Sequence, residues 1–220
     1  TTTPQIAKRI IPVHELYANP KATQKLLDDS AINIEQWLTD KIADKFGRTE
    51  ATAFINGNGV GQPRGILTYA SGTSWGQVEQ VGSGSSGVIT ADGLVKLYYA
   101  LKQDYALNST FLLNRLSVRD VRLLKDTTNQ YLWQPSLTAG SPDLLFGRPV
   151  LMATDMPTAG SGSLSVAVGD FRRAYQIVDR IGINVLRDPF SSKPFVQFYT
   201  RKRVGGDVTN FEAFKLQVLS

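Results

Sequence analysis

One run of apolar residues constrains the fold more than any other feature: Ile34, Trp37, Leu38, Ile42, Phe46, Ala53 and Phe54. Their separations keep returning to three, four and seven, the period of one helix face. The opposite face carries Glu35, Asp40, Lys41, Asp44, Lys45 and Arg48, with Asp44 one turn before Arg48 in the favourable order. The pattern predicts an amphipathic helix over residues 34–55, about 33 Å long at 1.5 Å per residue. A helix of that length is long for a compact 220-residue protein. Trp37, Ile42 and Phe46 are its predicted core contacts, packed against strands of the C-terminal half. Asn56-Gly57 ends it, with Gly57 expected in the left-handed conformation of a C-terminal cap.

The stretch that follows, GNGVGQPRGIL (57–67), holds four glycines and a proline. Gly57, Gly59 and Gly61 follow a helix rather than a strand, and Pro63 would interrupt any helix after them. They read as a reversal of the chain, with glycine supplying positive φ. A second glycine-rich stretch, Gly82, Gly84 and Gly87, matches G-x-G-x-x-G literally, and Asp104 lies about twenty residues on. Here Val88 and Ile89 separate the last glycine from a helix capped by Thr90, so no helix N-terminus meets the loop. The same two residues occupy the Lys and Ser/Thr positions of a Walker loop.

Residues 8–17 read as extended, and Asn19-Pro20 as the cap and first position of a short helix over 20–29. Residues 68–87 are rich in Gly, Ser and Thr, with Trp75 and Val78 as isolated anchors, and read as a loop or loose hairpin, mobile over 71–87. After Thr90 comes a helix with Leu94, Leu97, Tyr98 and Leu101 on one side, then a strand over 110–114. Ser117 is the expected cap of a further helix. From residue 149 onward the pattern is β, broken at Gly182, at 189–194 and at Gly205-Gly206. Helices dominate the first half and strands the second, which defines an α+β protein.

No chemistry stands out. The chain has no cysteine and a single histidine, His14, so disulfides, thiolate sites and multi-histidine metal sites are excluded. No G-x-S-x-G elbow is present. The net charge of +5 is dispersed; its densest cluster is Arg201, Lys202 and Arg203. Asp28 and Asp29 sit at a helix C-terminus, where negative charge is unfavourable, and point to an intersubunit contact. No run of about 18 apolar residues suggests a membrane span.

In order, LLDDS, EATAFINGNGVGQPRGIL, FLLNRLSVRDVRLLKDTTNQYLWQPSL, LLFGRPVLMATDMP, VAVGDFRRAYQIVDRIGINVLRDP and RKRVGGDVTNFEAFKLQVL resemble the major capsid proteins of tailed bacteriophages. The resemblance spans nearly the whole chain and implies the Hong Kong 97-type shell fold, which encapsulin shells share. It implies a peripheral domain over 1–57 containing the spine helix and the remnant of an extended loop. An axial domain with a central sheet follows over 58–178, then peripheral return strands over 179–208 and a final axial strand over 209–220. Gly57, Gly59, Gly61 and Pro63 then turn the corner between domains. Asp28, Asp29, Arg201, Lys202 and Arg203 become candidate intersubunit residues, with no catalytic, cofactor or metal residue.

The implied function is structural: self-association into hexamers and pentamers of an icosahedral shell around double-stranded DNA, without a cofactor. Scaffold, protease and portal proteins are the implied partners, with assembly in the bacterial host cytoplasm into a virion capsid. The chain begins where the returning strand of the family's extended loop would lie. A fragment or cleaved core is therefore expected, one that stays monomeric or forms small oligomers. KPFVQFYTRKRV offers neither the asparagine nor the glutamate that some members use for crosslinking. The rival readings are a nucleotide-binding or hydrolytic enzyme using the Gly82–Gly87 loop, a basic nucleic-acid-binding module and an encapsulin-like shell.

Overall fold

The computed structural model describes residues 10–133 and 143–220. Lys8 and Arg9 of the expected extended segment, and Gln134, Pro135, Ser136 and Leu137 of the third family motif, lie outside the described residues. The chain divides into two units: the described part of Thr1–Gly65 with Ile177–Asp207, and Ile66–Gln176 with Val208–Ser220.

The first unit pairs one long helix with an antiparallel sheet. Helix α2 (Ile34–Asn56) begins at Asn33, whose side chain accepts from the Gln36 amide. Ile42, Phe46, Ala53 and Ile55 are its buried residues. Trp37, expected in the core, is 48% exposed, with Lys41 Nζ 5.9 Å from its ring. It lies one position away from Leu38, which packs on the apolar cluster in its place. The sheet centres on β9 (Phe195–Val208). β8 (Tyr175–Asp188) pairs with β9, as do β1 (Val13–Ala18) and β2 (Lys21–Thr23). Ala18 opposite Thr200 and Lys21 opposite Gln197 keep one register, so β1 and β2 are a single strand interrupted at Asn19 and Pro20. Proline has no N–H to give the ladder, yet its carbonyl still accepts from the Phe198 amide at 3.0 Å.

That interruption corrects the expected helix over 20–29. Asn19 donates to the Gln197 side chain instead of capping. Thr23 is the cap, and α1 is only Gln24–Asp29. Gly182 does not break β8, and Gly205-Gly206 lies inside β9. Both glycine sites are tolerated within long paired strands.

The second unit is built on a six-stranded mixed sheet. Its strand order is β3 (Gln80–Gly82), β10 (Phe214–Val218), β7 (Leu164–Gly169), β4 (Thr110–Leu113), β6 (Arg148–Met152) and β5 (Leu144–Leu145). β3 runs parallel to β10 and β4 parallel to β6; the other pairs are antiparallel. Helix α3 (Ala91–Ala100) lays Leu94 and Leu97 on the sheet, and α5 (Arg115–Arg122) adds Val118 and Val121 to the cluster around Phe111, Leu113, Val166 and Val168. Two short helices, α4 (Gln103–Ala106) and α6 (Phe171–Ala174), complete the unit.

Ser117 does not cap α5. Asn114 does, accepting from the Leu116 amide while its Nδ2 donates to the carbonyls of Thr154 and Met156. Ser117 lies inside the helix, fully buried, its hydroxyl without a partner. In the 68–87 segment Val78 is the buried anchor expected, whereas Trp75 is 75% exposed. Val78 is fully buried, and 80–82 form a strand against the last strand of the chain.

Candidate assembly surfaces

Side chains alternate across a strand, so β9 offers two chemically different faces. Val196, Phe198, Thr200 and Val204 are buried, and Val196 and Phe198 pack with Ala22, Leu27, Ile34 and Leu38. Lys202 shares that inner face. Its Nζ lies 2.8 Å from Glu50 Oε2 on α2 and 3.5 Å from Asp179 Oδ2 on β8, with only 15% of the lysine and 12% of the Glu50 side chain exposed. Burial is the largest influence on Lys202 and opposes its charge. The Glu50 hydrogen bond, then the charges of Glu50 and Asp179, outweigh it and raise the lysine pKa above its ordinary value.

The basic triplet is therefore not one surface feature. Lys202 is turned inward and spent on Glu50, which corrects its place among the candidate intersubunit residues. Sequence reasoning missed Glu50, although its position one turn after Phe46 puts it on the buried face of α2. Arg201 and Arg203 stand opposite Tyr17 and Glu15 of β1. Tyr17 is 68% exposed, with its ring centroid 6.5 Å from that of Tyr199. The other face of the sheet thus brings together two arginines and two tyrosines.

Asp28 and Asp29 close α1 with no basic residue in its last turn. Asp28 accepts from the Gln24 side chain at 2.9 Å.

The turn after α2 obeys a different rule from the one its sequence suggested. Gly57 has φ −62°, not a positive value, and its N–H bonds to the Ala53 carbonyl. A Cβ there would lie 2.1 Å from Pro63 O and 2.4 Å from Ala53 O. Close approach of two backbones, not left-handed φ, requires this glycine. Gly59 (φ 79°) and Gly61 (φ 67°) supply the positive φ, and Pro63 is buried.

The Gly82–Gly87 loop is closed on itself. The amides of Ser83 and Gly87 donate to the carbonyls of Val218 and Leu219, that of Val88 to Ser85 O, and that of Ser85 to Ser83 Oγ. Thr90 Oγ donates to the Ser83 carbonyl while accepting from Gly93 N, so the protein's own side chain caps the N-terminus of α3. Those donors are committed within the fold and are not offered to a phosphate. Among the described residues no group of three or more His, Cys, Asp or Glu is arranged to hold a metal. No helix among them is long and apolar enough to cross a membrane.

A long helix along a four-stranded sheet, with a six-stranded mixed sheet in the second unit, is the Hong Kong 97-type architecture of shell proteins. The chain belongs to the phage capsid family, whose model matches residues 1–219. It is similar to the capsid subunit of a native GTA particle, with 47% identity and a TM-score of 0.93 over 99% of this chain and 76% of that one. The subunit of an empty GTA particle gives 48% identity and a TM-score of 0.90 over 96% of this chain and 74% of that one. The encapsulin of a holo-SrpI complex from Synechococcus elongatus PCC 7942 shares the fold, with 14% identity and a TM-score of 0.68 over 94% of this chain and 73% of that one. A search of curated proteins finds no match. The protein is a structural shell protein that self-assembles into an oligomeric capsid.

Proposed function

We propose that this chain is a major capsid subunit whose shell encloses double-stranded DNA through non-specific contacts and that it carries no catalytic activity. The unit containing α2 and β9 acts as the peripheral domain, and the unit built on the six-stranded sheet acts as the axial domain around capsomer axes. The face bearing Arg201, Arg203, Tyr17 and Tyr199, and the acids Asp28 and Asp29, serve contacts between subunits. Tyrosine and arginine are the residue types enriched in such contacts. Assembly takes place in the bacterial host cytoplasm, with scaffold, protease and portal proteins as partners.

The observation that carries this reading is 47% identity to a capsid subunit across 99% of the chain. The phage capsid family model, which matches residues 1–219, favours a phage-type over an encapsulin-type shell. The committed donors of the Gly82–Gly87 loop weigh against the nucleotide-binding reading. The test is density-gradient sedimentation of particles from cells carrying the gene, followed by nuclease treatment. The expected result is this chain in fast-sedimenting particles that protect double-stranded DNA. Particles that protect none, or the chain confined to slow fractions, would overturn the reading.

A further inference from the structure

A cavity of about 630 Å³ in the second unit lies among the 72–77 loop, the start of α4 and the turn before β10. That volume suits a small ligand. Trp75 forms one wall. Its ring stands edge-on to Phe211, centroids 5.3 Å apart, and Phe211 stands edge-on to Tyr69 at 5.2 Å. Phe211 and Tyr69 are buried, whereas Trp75 is 75% exposed. Two buried rings thus underpin an exposed one.

The lining also carries two ion pairs. Lys102 Nζ lies 2.7 Å from Glu212 Oε2, and Lys215 Nζ lies 2.6 Å from Glu79 Oε2. Lys215 also acts on Glu212, whose pKa is lowered first by the Lys102 hydrogen bond, then by the Lys102 charge and more weakly by Lys215. The four side chains therefore alternate in sign and sum to no net charge. Asn210 donates to the Tyr105 hydroxyl at 2.9 Å, and Gln77 adds a second amide.

This chemistry selects among ligand classes. A groove for nucleic acid strands combines stacking rings with net positive charge, which is absent here. The core of a subunit interface is depleted of lysine and glutamate, and here two of each share the lining. A neutral sugar fits both halves. Its hydroxyls would donate to the second oxygens of Glu79 and Glu212 and accept from the remaining N–H groups of Lys102, Lys215 and Gln77, with the C–H face of the ring on Trp75. We infer that the Trp75 groove is a binding site for a neutral saccharide.

The test is titration of the protein, soluble and assembled, with cellotetraose, maltotetraose and chitotetraose, read by calorimetry and tryptophan fluorescence. Saturable binding of at least one is expected in both forms, weakened at least about tenfold by Trp75→Ala or Glu212→Gln with the melting temperature unchanged. Glu79→Gln serves as the second probe should Glu212→Gln alter folding. Absence of saturable binding, or binding indifferent to Trp75→Ala, would overturn the site. So would binding lost on assembly, since the groove would then be covered by a second copy of this chain.

Discussion

Replacing Gly57 separates two explanations for the same glycine. In the structure its φ is ordinary, and the constraint is space. A Cβ would sit 2.1 Å from the Pro63 carbonyl, which must recede to 3.4 Å or more to restore ordinary contact. That movement pulls on two backbone hydrogen bonds, Gly57 N to Ala53 O at 2.8 Å and Gly65 N to Gly57 O at 2.7 Å. Overpacking costs ~1–3 kcal/mol, and each weakened bond adds up to ~1 kcal/mol. Gly57→Ala is therefore expected to lose about 1–5 kcal/mol, or a melting temperature lower by about 2–20 °C in a chain of this size. Gly57→Asn should be no better, because tolerance of the left-handed region does not help at φ −62°. Gly61 is the control: it has φ 67°, and a Cβ there would meet open space. There Ala should cost ~1–2 kcal/mol and Asn clearly less. Urea unfolding followed by circular dichroism measures all four variants. If Gly57→Asn is tolerated markedly better than Gly57→Ala, the steric reasoning fails and the cap is left-handed after all.

Phe46, 3% exposed, should lose ~3–5 kcal/mol on change to Ala, whereas exposed Trp37→Ala should lose less than about 1 kcal/mol in the same denaturation assay. Glu50→Gln should cost about 2–3 kcal/mol, below the full penalty for a buried pair because Asp179 remains near Lys202. The sign with pH follows from the raised lysine pKa: the stabilisation is intact below 10.5 and is lost as pH climbs through the higher folded value. Melting curves across that alkaline range should fall more steeply for the wild type than for Glu50→Gln. Ser117→Ala should stabilise by ~1 kcal/mol in urea, since it removes a buried hydroxyl that has no partner.

Features governed by local periodicity were legible in the sequence. The long helix shows in the spacing of Ile34, Leu38, Ile42 and Phe46, and Thr90 announces α3 as a cap. Features decided by distant partners were not. The short helix near residue 20 lost its first turn because Pro20 and Lys21 lie along β9, more than 170 positions away in sequence. Trp37 and Leu38 are neighbours on one apolar arc, and only the position of the sheet decides which packs. Arg201, Lys202 and Arg203 look alike in a row, yet strand alternation sends the middle one to Glu50. Gly57 signals an unusual backbone site in sequence, but whether φ or space is limiting depends on where Pro63 returns. The groove beside Trp75 joins residues 72–79, 102–105 and 209–215, a juxtaposition created by β3 and α4 meeting the turn before β10.

Cryo-electron microscopy of the assembled particle tests the central claim most directly. Closed shells are expected in which the unit built on the six-stranded sheet surrounds five- and six-fold axes, and the unit carrying α2 and β9 lies away from them. A shell with the α2 unit at those axes, or a particle in which this chain forms no part of the closed lattice, would contradict that claim.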